Sequence, residues 1–416
     1  MRLRPVLCTL GVAAVAVLLI TSASVAQIPP PDSTSAPGDS VVLSDGVPQR
    51  DAIDVLKKLL HKNVESQVSL GPPIGLQWAL LPTINVNPVS GVSLGVALSG
   101  AGMRSAGGAH YSTVSLSGSF STTGQIQFLL RGDIFSPGEN YLLKTDLRYL
   151  DTERSTWGLG RISSSQEEFP MQFKLGRVYG TVYRRMTGPL YLGVGFHYDE
   201  FMDIVDERAV NGEDTPFSTY SGGTPSKTRA VGVSLNILAD TRDNLVNPSK
   251  GTYSSLVLRD YYDEMGSDEH WQELWVESRA YTRLPKSARN VLAFWMYAWM
   301  TFGPAPYLNL PSNGWDTYGR GARGYLAGRI RGVDQIYLEG EYRRVLSADG
   351  LWGMVVFTNF LLTTDLVTGI YGQADPAVGA GLRIKFNKRS NTNLTLDYGV
   401  GRADQRGFFL GMTEVF

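Results

Sequence analysis

Cysteine is almost absent from this chain: Cys8 is the only one in 416 residues. It precedes the apolar core of an N-terminal export signal, so the exported chain is expected to have no thiol, no disulfide and no cysteine metal site. That signal is read from Arg2 and Arg4, the apolar run from Val12 to Ile20 and the small-residue cleavage site Ser24-Val25-Ala26, which together assign residues 1–26 to a signal peptide. Net charge is also nearly absent. Lys plus Arg (38) and Asp plus Glu (39) cancel to −1, which excludes a bulk attraction to nucleic acid. Histidine is scarce: His61, His110, His197 and His270 fall at no metal-ligand spacing, and no phosphate-cradling loop occurs, so neither metal nor cofactor is expected. Beyond the signal, no stretch reaches the roughly 18 uninterrupted apolar residues of a membrane helix.

What is present is glycine (46), tyrosine (20) and a modest hydrophobic fraction of 43%. An exported chain that is glycine-rich, aromatic and helix-poor is either an all-β secreted protein or a membrane barrel. Residues 27–50 are rich in Pro, Ser and Asp and read as an extended linker. From Asp51 to Lys62, Ile53, Val55, Leu56, Leu59 and Leu60 form one stripe and Asp51, Asp54, Lys57 and Lys58 another, the pattern of a short amphipathic helix. Its plain reading is a plug or packing segment; the sharper one is a membrane-surface or partner helix. Residues 27–70 thus form a linker segment ahead of a main domain, 71–416.

Within that domain, period-two alternation replaces the helical pattern. In the stretch from Tyr141 to Leu150, Tyr141, Leu143, Leu147 and Tyr149 oppose Lys144, Asp146 and Arg148. Similar faces recur in sixteen candidate strands between residues 82 and 416. Many are ten residues or longer, whereas strands of soluble sandwiches run to about 5–6, and that length suits a tilted membrane crossing. An apolar face broken by Tyr and Trp suits lipid, and a charged face suits a wet lumen. Long connections (151–170, 202–227, 304–332, 363–375) tend to alternate with tight turns, the asymmetry of an outer-membrane barrel. The expected fold is therefore all-β: a 16-stranded antiparallel transmembrane β-barrel.

The longest connection carries Arg320, Arg323, Arg329 and Arg331 among five glycines, with no acid from 319 to 332. One reading is a solvated loop; the other folds the loop into the lumen, where Glu339 and Glu341 could accept bidentate arginine contacts. Arg323-Gly324-Tyr325 resembles the Arg-Gly-aromatic loop motif of the BamA/TamA superfamily, also called bacterial surface antigens. Two further stretches agree. Asp240, Arg242, Asp243, Pro248 and Gly251 are similar to the family's short periplasmic turn. The chain ends with Phe408, Leu410, Met412 and Phe416 spaced as the face of a C-terminal targeting strand, the signal by which outer-membrane assembly machinery recognises its clients.

The resemblance implies a loop arginine, Arg323, that enters the lumen and meets Glu341, with Glu339 as a substitute. Asn359 stands where the family usually has an aspartate, so the clamp is expected to rest mainly on Glu341. The resemblance also implies an outer-membrane location in a Gram-negative bacterium, contact with lipid and lipopolysaccharide, insertion by the assembly machinery, and client or periplasmic partners for a monomeric barrel. The 44 or so residues ahead of the barrel are too few for one polypeptide-transport-associated domain, and in this the chain resembles the short-N-terminus branch of the superfamily. The functional expectation is assistance in inserting or translocating proteins or lipids through a weak seam between first and last strands, the first being short and bounded by Pro82 and Pro88. The alternative is a passive pore or structural barrel. An enzyme is not expected: His197 with Asp199 is the one hint of a hydrolase, and a polar wall position accounts for it better. Asp203, Asp206, Glu207, Glu213 and Asp214 in one loop could bridge divalent cations at the lipopolysaccharide surface, though they read first as a solvated run.

Overall fold

The computed structural model describes residues 48–59, 75–87, 91–104, 110–160, 168–220, 223–284, 289–316, 319–364, 369–372, 374–388 and 391–416. The expected signal peptide and most of the linker lie outside the described residues. The chain is all-β, with antiparallel strands paired in sequence order in one sheet. The strands are β1 (Gln77–Asn87), β2 (Gly91–Gly102), β3 (Ser112–Ser121), β4 (Ile126–Phe135), β5 (Tyr141–Thr156), β6 (Phe169–Thr187), β7 (Leu190–Asp206) and β8 (Thr228–Asp240). There follow β9 (Gly251–Tyr261), β10 (Trp271–Arg283), β11 (Asn290–Phe302), β12 (Asp334–Val345), β13 (Trp352–Thr363), β14 (Asp375–Asn387), β15 (Thr392–Gly401) and β16 (Arg406–Gly411). Among the described residues no ladder joins β1 to β16.

Alternation sorts the side chains onto two faces in an order inverse to that of a soluble sheet. Leu80, Leu94, Val194, Leu235, Phe294 and Val378 stand exposed on one face. On the other, Asp146, Arg148, Asp199, Arg259, Glu277, Glu341 and Asp397 are buried. Charges survive burial only when paired and hydrogen-bonded, and here each carboxylate has its cation: Arg177 Nε stands 2.6 Å from Asp199, and Arg279 Nη2 2.5 Å from Glu277. Asn391, in the turn after β14, donates to the carbonyl of Asn247, in the turn after β8, over 3.1 Å. Five strand spacings separate β9 from β14, about 24 Å in a flat sheet. The sheet therefore curves, with its charged face inside.

Two ends of the sheet differ from expectation. β1 begins at Gln77 rather than near residue 82, so Pro82 lies within the strand, opposite Val96. Proline is tolerated in a strand where its missing donor points to an unpaired edge, and among the described residues β1 pairs only with β2. The expectation of a short first strand was therefore wrong; Pro88 lies outside the described residues. The short strand is β16, which leaves the ladder after Gly411. A helix, α1 (Ala52–Leu59), sits at the tight-turn end, as Asp51 caps the Asp54 amide at 2.8 Å and accepts from the Lys388 amide at 3.0 Å. Lys388 Nζ reaches Asp54 at 2.8 Å, and the Arg50 amide donates to the Asp349 carbonyl at 2.9 Å.

Candidate functional site: the arginine loop and the C-terminal tail

Residues 303–316 and 319–333, between β11 and β12, fold onto the inner face of the sheet. The four arginines do not repel one another there because each has its own setting. Arg323 is 1% exposed and ion-pairs with Glu339 and Glu341 of β12 and, through Nη1, with Asp397 of β15 at 2.6 Å. Its guanidinium carbon lies 3.7 Å from the ring centroid of Phe357, adding a cation–π contact. Arg320 reaches Thr413 Oγ1 at 2.7 Å and the Glu414 carbonyl at 2.5 Å. Arg329 stacks on Trp157, and Arg331 donates to the carbonyls of Tyr307 and Leu310.

The loop backbone approaches the wall closely, and glycine makes that approach possible. Gly324 has φ of +110°, and a Cβ there would stand 2.7 Å from the Ala377 Cβ; one on Gly399 would meet the Gly324 nitrogen at 2.8 Å. Tyr325 packs over Gly401, with its hydroxyl donating to the Pro376 carbonyl at 2.6 Å and accepting from the Arg402 amide at 3.0 Å. Asn359 Nδ2 donates to the Arg323 carbonyl over 2.9 Å, so it holds the loop backbone and not the guanidinium.

This geometry extends the sequence reading at three points. Glu339 is no substitute for Glu341 but engages Arg323 together with it, and Tyr337 donates to the same Glu339 carboxylate. Asp397 was missed. Alternation of Leu394, Leu396 and Tyr398 with Asn393, Thr395 and Asp397 puts it on the polar face, yet nothing local says that β15 faces the loop; the glycine pairs Gly379 and Gly381 on β14 and Gly399 and Gly401 on β15 were the available signal. The third point is the C-terminus, where Phe408 and Leu410 stand on the exposed face at 70% and 61%. The chain bends at Met412, outside the strand, and Phe416 turns inward, 4% exposed. Its ring lies 5.3 Å from Trp295 and 6.2 Å from Tyr281, and Arg343 Nη2 donates to its carbonyl at 2.9 Å. A single targeting-strand face through Phe416 is therefore not formed.

Glu414 fastens the tail. Arg383 Nε donates to it at 2.8 Å and Asn393 Nδ2 at 2.7 Å, and Arg383 also reaches Asp397 at 2.5 Å. Burial alone would raise the carboxyl of Glu414, but Arg383 and Arg343 outweigh it and hold the pKa down to about 2. One ionic chain thus runs from Arg323 through Asp397 and Arg383 to Glu414.

The other motif residues lie at the tight-turn end. Arg242 folds back on Asp240 with two bonds of 2.9 and 2.6 Å. Asp243 accepts from the amides of Ser249 and Lys250, Pro248 is buried, and Gly251 has φ of +96°. The turn is thus closed by its own residues.

Across the inner face, a cavity of about 150 Å³ is lined by Arg177, Tyr179, His197, Asp199, Trp299 and Trp315 among others. His197 Nε2 lies 2.8 Å from Ser234 Oγ, a pairing that the sequence reading missed. Asp199 does not orient the imidazole: it is held by Arg177, Tyr179 and Asn309, and among the described residues His197 Nδ1 has no partner. The five acids expected in one loop do not share it, because β7 runs on through Asp203 and Asp206: Asp203 lies 2.8 Å from Lys174, Asp206 caps a short helix through the amides of Arg208 and Ala209, and in the loop beyond, Glu213 pairs with Arg208. Among the described residues no three His, Cys, Asp or Glu side chains converge as a metal site would require.

No protein-family profile matches the chain, and no curated protein matches its sequence significantly. Solved structures do match. BamA from Haemophilus ducreyi lacking POTRA domains 1–3 superposes with a TM-score of 0.51 at 14% identity, over 86% of this chain and 76% of that one. The chain shares its fold with this structure. CdiB from Escherichia coli superposes with a TM-score of 0.50 at 10% identity, over 82% of this chain and 63% of that one. At such identities the likeness is one of fold, and Arg323, Glu339, Glu341 and Asp397 speak for the site through their own geometry.

Proposed function

We propose that this chain is an outer-membrane β-barrel of sixteen strands, closed at a seam between β1 and β16, that assists insertion or translocation of proteins or lipids through that seam. The observation that carries the reading is the early end of β16. It has six residues against eleven in β1, so at least 11 − 6 = 5 residues of β1 have no opposite number. Each backbone hydrogen bond contributes only about 0.5–1.5 kcal/mol net, and a six-residue seam is the part of the wall that opens at least cost. The tail that would lengthen it is drawn inside by Arg320, Arg343 and Arg383.

The exposed apolar face suits lipid and the ionic inner face a lumen, with the long connections outside the cell near lipopolysaccharide and the tight turns in the periplasm. Its partners are then outer-membrane lipid, the machinery that inserts the barrel itself, and client or periplasmic proteins, for a monomeric barrel without enzymatic activity or cofactor.

Cys8 being the only native cysteine, pairs placed between residues 78–86 and 406–411 can be oxidised selectively. Locking the seam is expected to reproduce the outer-membrane protein profile of the deletion strain, and reduction to reverse it. A normal profile with the seam fully crosslinked would rule the mechanism out, and a large steady conductance in planar bilayers would favour a passive pore.

A further inference from the structure

Most buried arginines of the inner face hold a carboxylate: Arg148, Arg177, Arg259, Arg279, Arg343 and Arg383 each do so. Arg154 and Arg331 depart from this pattern. Arg331 is 4% exposed; its Nη1 donates to the carbonyls of Tyr307 at 2.9 Å and Leu310 at 3.3 Å, and its Nε is buried without a partner. Arg154, on the inner face of β5, likewise has a buried Nε without a partner, and its guanidinium lies 5.9 Å from the Trp315 ring centroid. Among the described residues neither forms an ion pair.

The two belong to one neighbourhood. Thr156, two residues beyond Arg154 on the same face, bonds the Tyr307 hydroxyl at 2.6 Å, and Arg331 stacks on that tyrosine at 5.0 Å. The Gly160 amide donates to the Arg331 carbonyl at 2.7 Å, tying the end of β5 to the loop. Trp315, under Arg154, also lines the inner cavity.

Carbonyl oxygens and aromatic faces satisfy some N–H directions but supply no compensating charge, and a guanidinium withdrawn from water without one is costly. A planar guanidinium with free N–H groups fits a tetrahedral oxyanion through paired, charge-assisted hydrogen bonds. We propose that Arg154 and Arg331 form a binding site for an oxyanion of the phosphate class, reached from the cavity at Trp315. The phosphate could be a free ion or the headgroup of a lipid.

The test uses the full chain folded in detergent. Sodium phosphate is expected to raise its thermal midpoint more than sodium chloride at equal pH and ionic strength, and the native protein should broaden the 31P line of inorganic phosphate. Arg154→Gln and Arg331→Gln are each expected to weaken the apparent affinity by about tenfold or more, the loss of one charge-assisted bond. In phosphate-free buffer Arg154→Gln should leave the midpoint unchanged or raise it, since it removes an uncompensated charge; a merely structural arginine would lower it. Lipopolysaccharide micelles form the second arm, and an arginine-dependent shift there without one from inorganic phosphate identifies the headgroup as the source. The proposal is overturned if neither probe shifts the midpoint beyond chloride, if both variants keep the full shift, or, should the variants not fold, if the native protein leaves the 31P lines of both inorganic phosphate and lipopolysaccharide unchanged.

Discussion

Replacing Arg323 by alanine should destabilise this protein more than any single change at its carboxylate partners, and the reason lies in what each partner keeps. Glu341 retains Arg343 at 2.7 Å and Asp397 retains Arg383 at 2.5 Å. Glu339 retains only the Tyr337 hydroxyl, in a position with no exposed side-chain surface. Removing one partner of a buried ion pair costs about 3–5 kcal/mol, and here that loss falls almost wholly on Glu339. Arg323→Ala also removes the stacking on Phe357. Glu341→Ala is milder, because Arg323 keeps Glu339 and Asp397 while Arg343 keeps the Phe416 carbonyl; about 1–3 kcal/mol is expected, the loss of a charge-assisted hydrogen bond. Adding Glu339→Gln to Arg323→Ala should recover part of the deficit by neutralising the stranded carboxylate. The assays are thermal unfolding of the detergent-folded barrel, heat-modifiable migration on gels, and protease resistance of residues 303–333. Unchanged unfolding and an intact loop in Arg323→Ala would refute the clamp, and a double variant no more stable than Arg323→Ala would refute the role given to Glu339.

Gly324→Ala places a Cβ 2.7 Å from that of Ala377 at φ of +110°, and should lower stability by about 1–3 kcal/mol with a loop that proteases cut faster. Asn359→Asp puts an acid where the family pattern has one, yet should destabilise: Nδ2 now donates to the Arg323 carbonyl, and a carboxylate there would set acceptor against acceptor at a fully buried position. A gain in thermal midpoint from that change would contradict the assignment. The depressed pKa of Glu414 has a definite sign: its contribution is complete above the ordinary carboxylate range near 4.5 and is lost as pH falls toward about 2. Tryptophan fluorescence reporting on Trp295 beside Phe416 should therefore hold steady to pH 4 and change only in stronger acid, and Glu414→Gln should remove that transition.

Strand order and the two faces were legible in the sequence because both are local. Side chains alternate with period two along any strand, so the stretch from Tyr141 to Leu150 declares its apolar and charged faces without reference to a neighbour, and tight turns make successive strands pair in order. The loop motif was legible for a similar reason: Arg323, Gly324 and Tyr325 are adjacent, and Glu339 and Glu341 follow on the next strand. What β15 offers to the loop was not legible. Asp397 lies 74 residues from Arg323 in sequence, and only the curvature of the sheet brings the two faces together across the interior. The same holds for Ser234 beside His197 and for the arginines that end without a carboxylate. The C-terminus marks the boundary most plainly. By parity Phe416 belongs with Phe408 and Leu410 on the apolar side, but parity holds only while the ladder continues. Arg320, Arg343 and Arg383, brought from a loop and two strands, outcompete the last ladder bonds for the tail, and such a contest is decided by charges that meet only after the chain has folded.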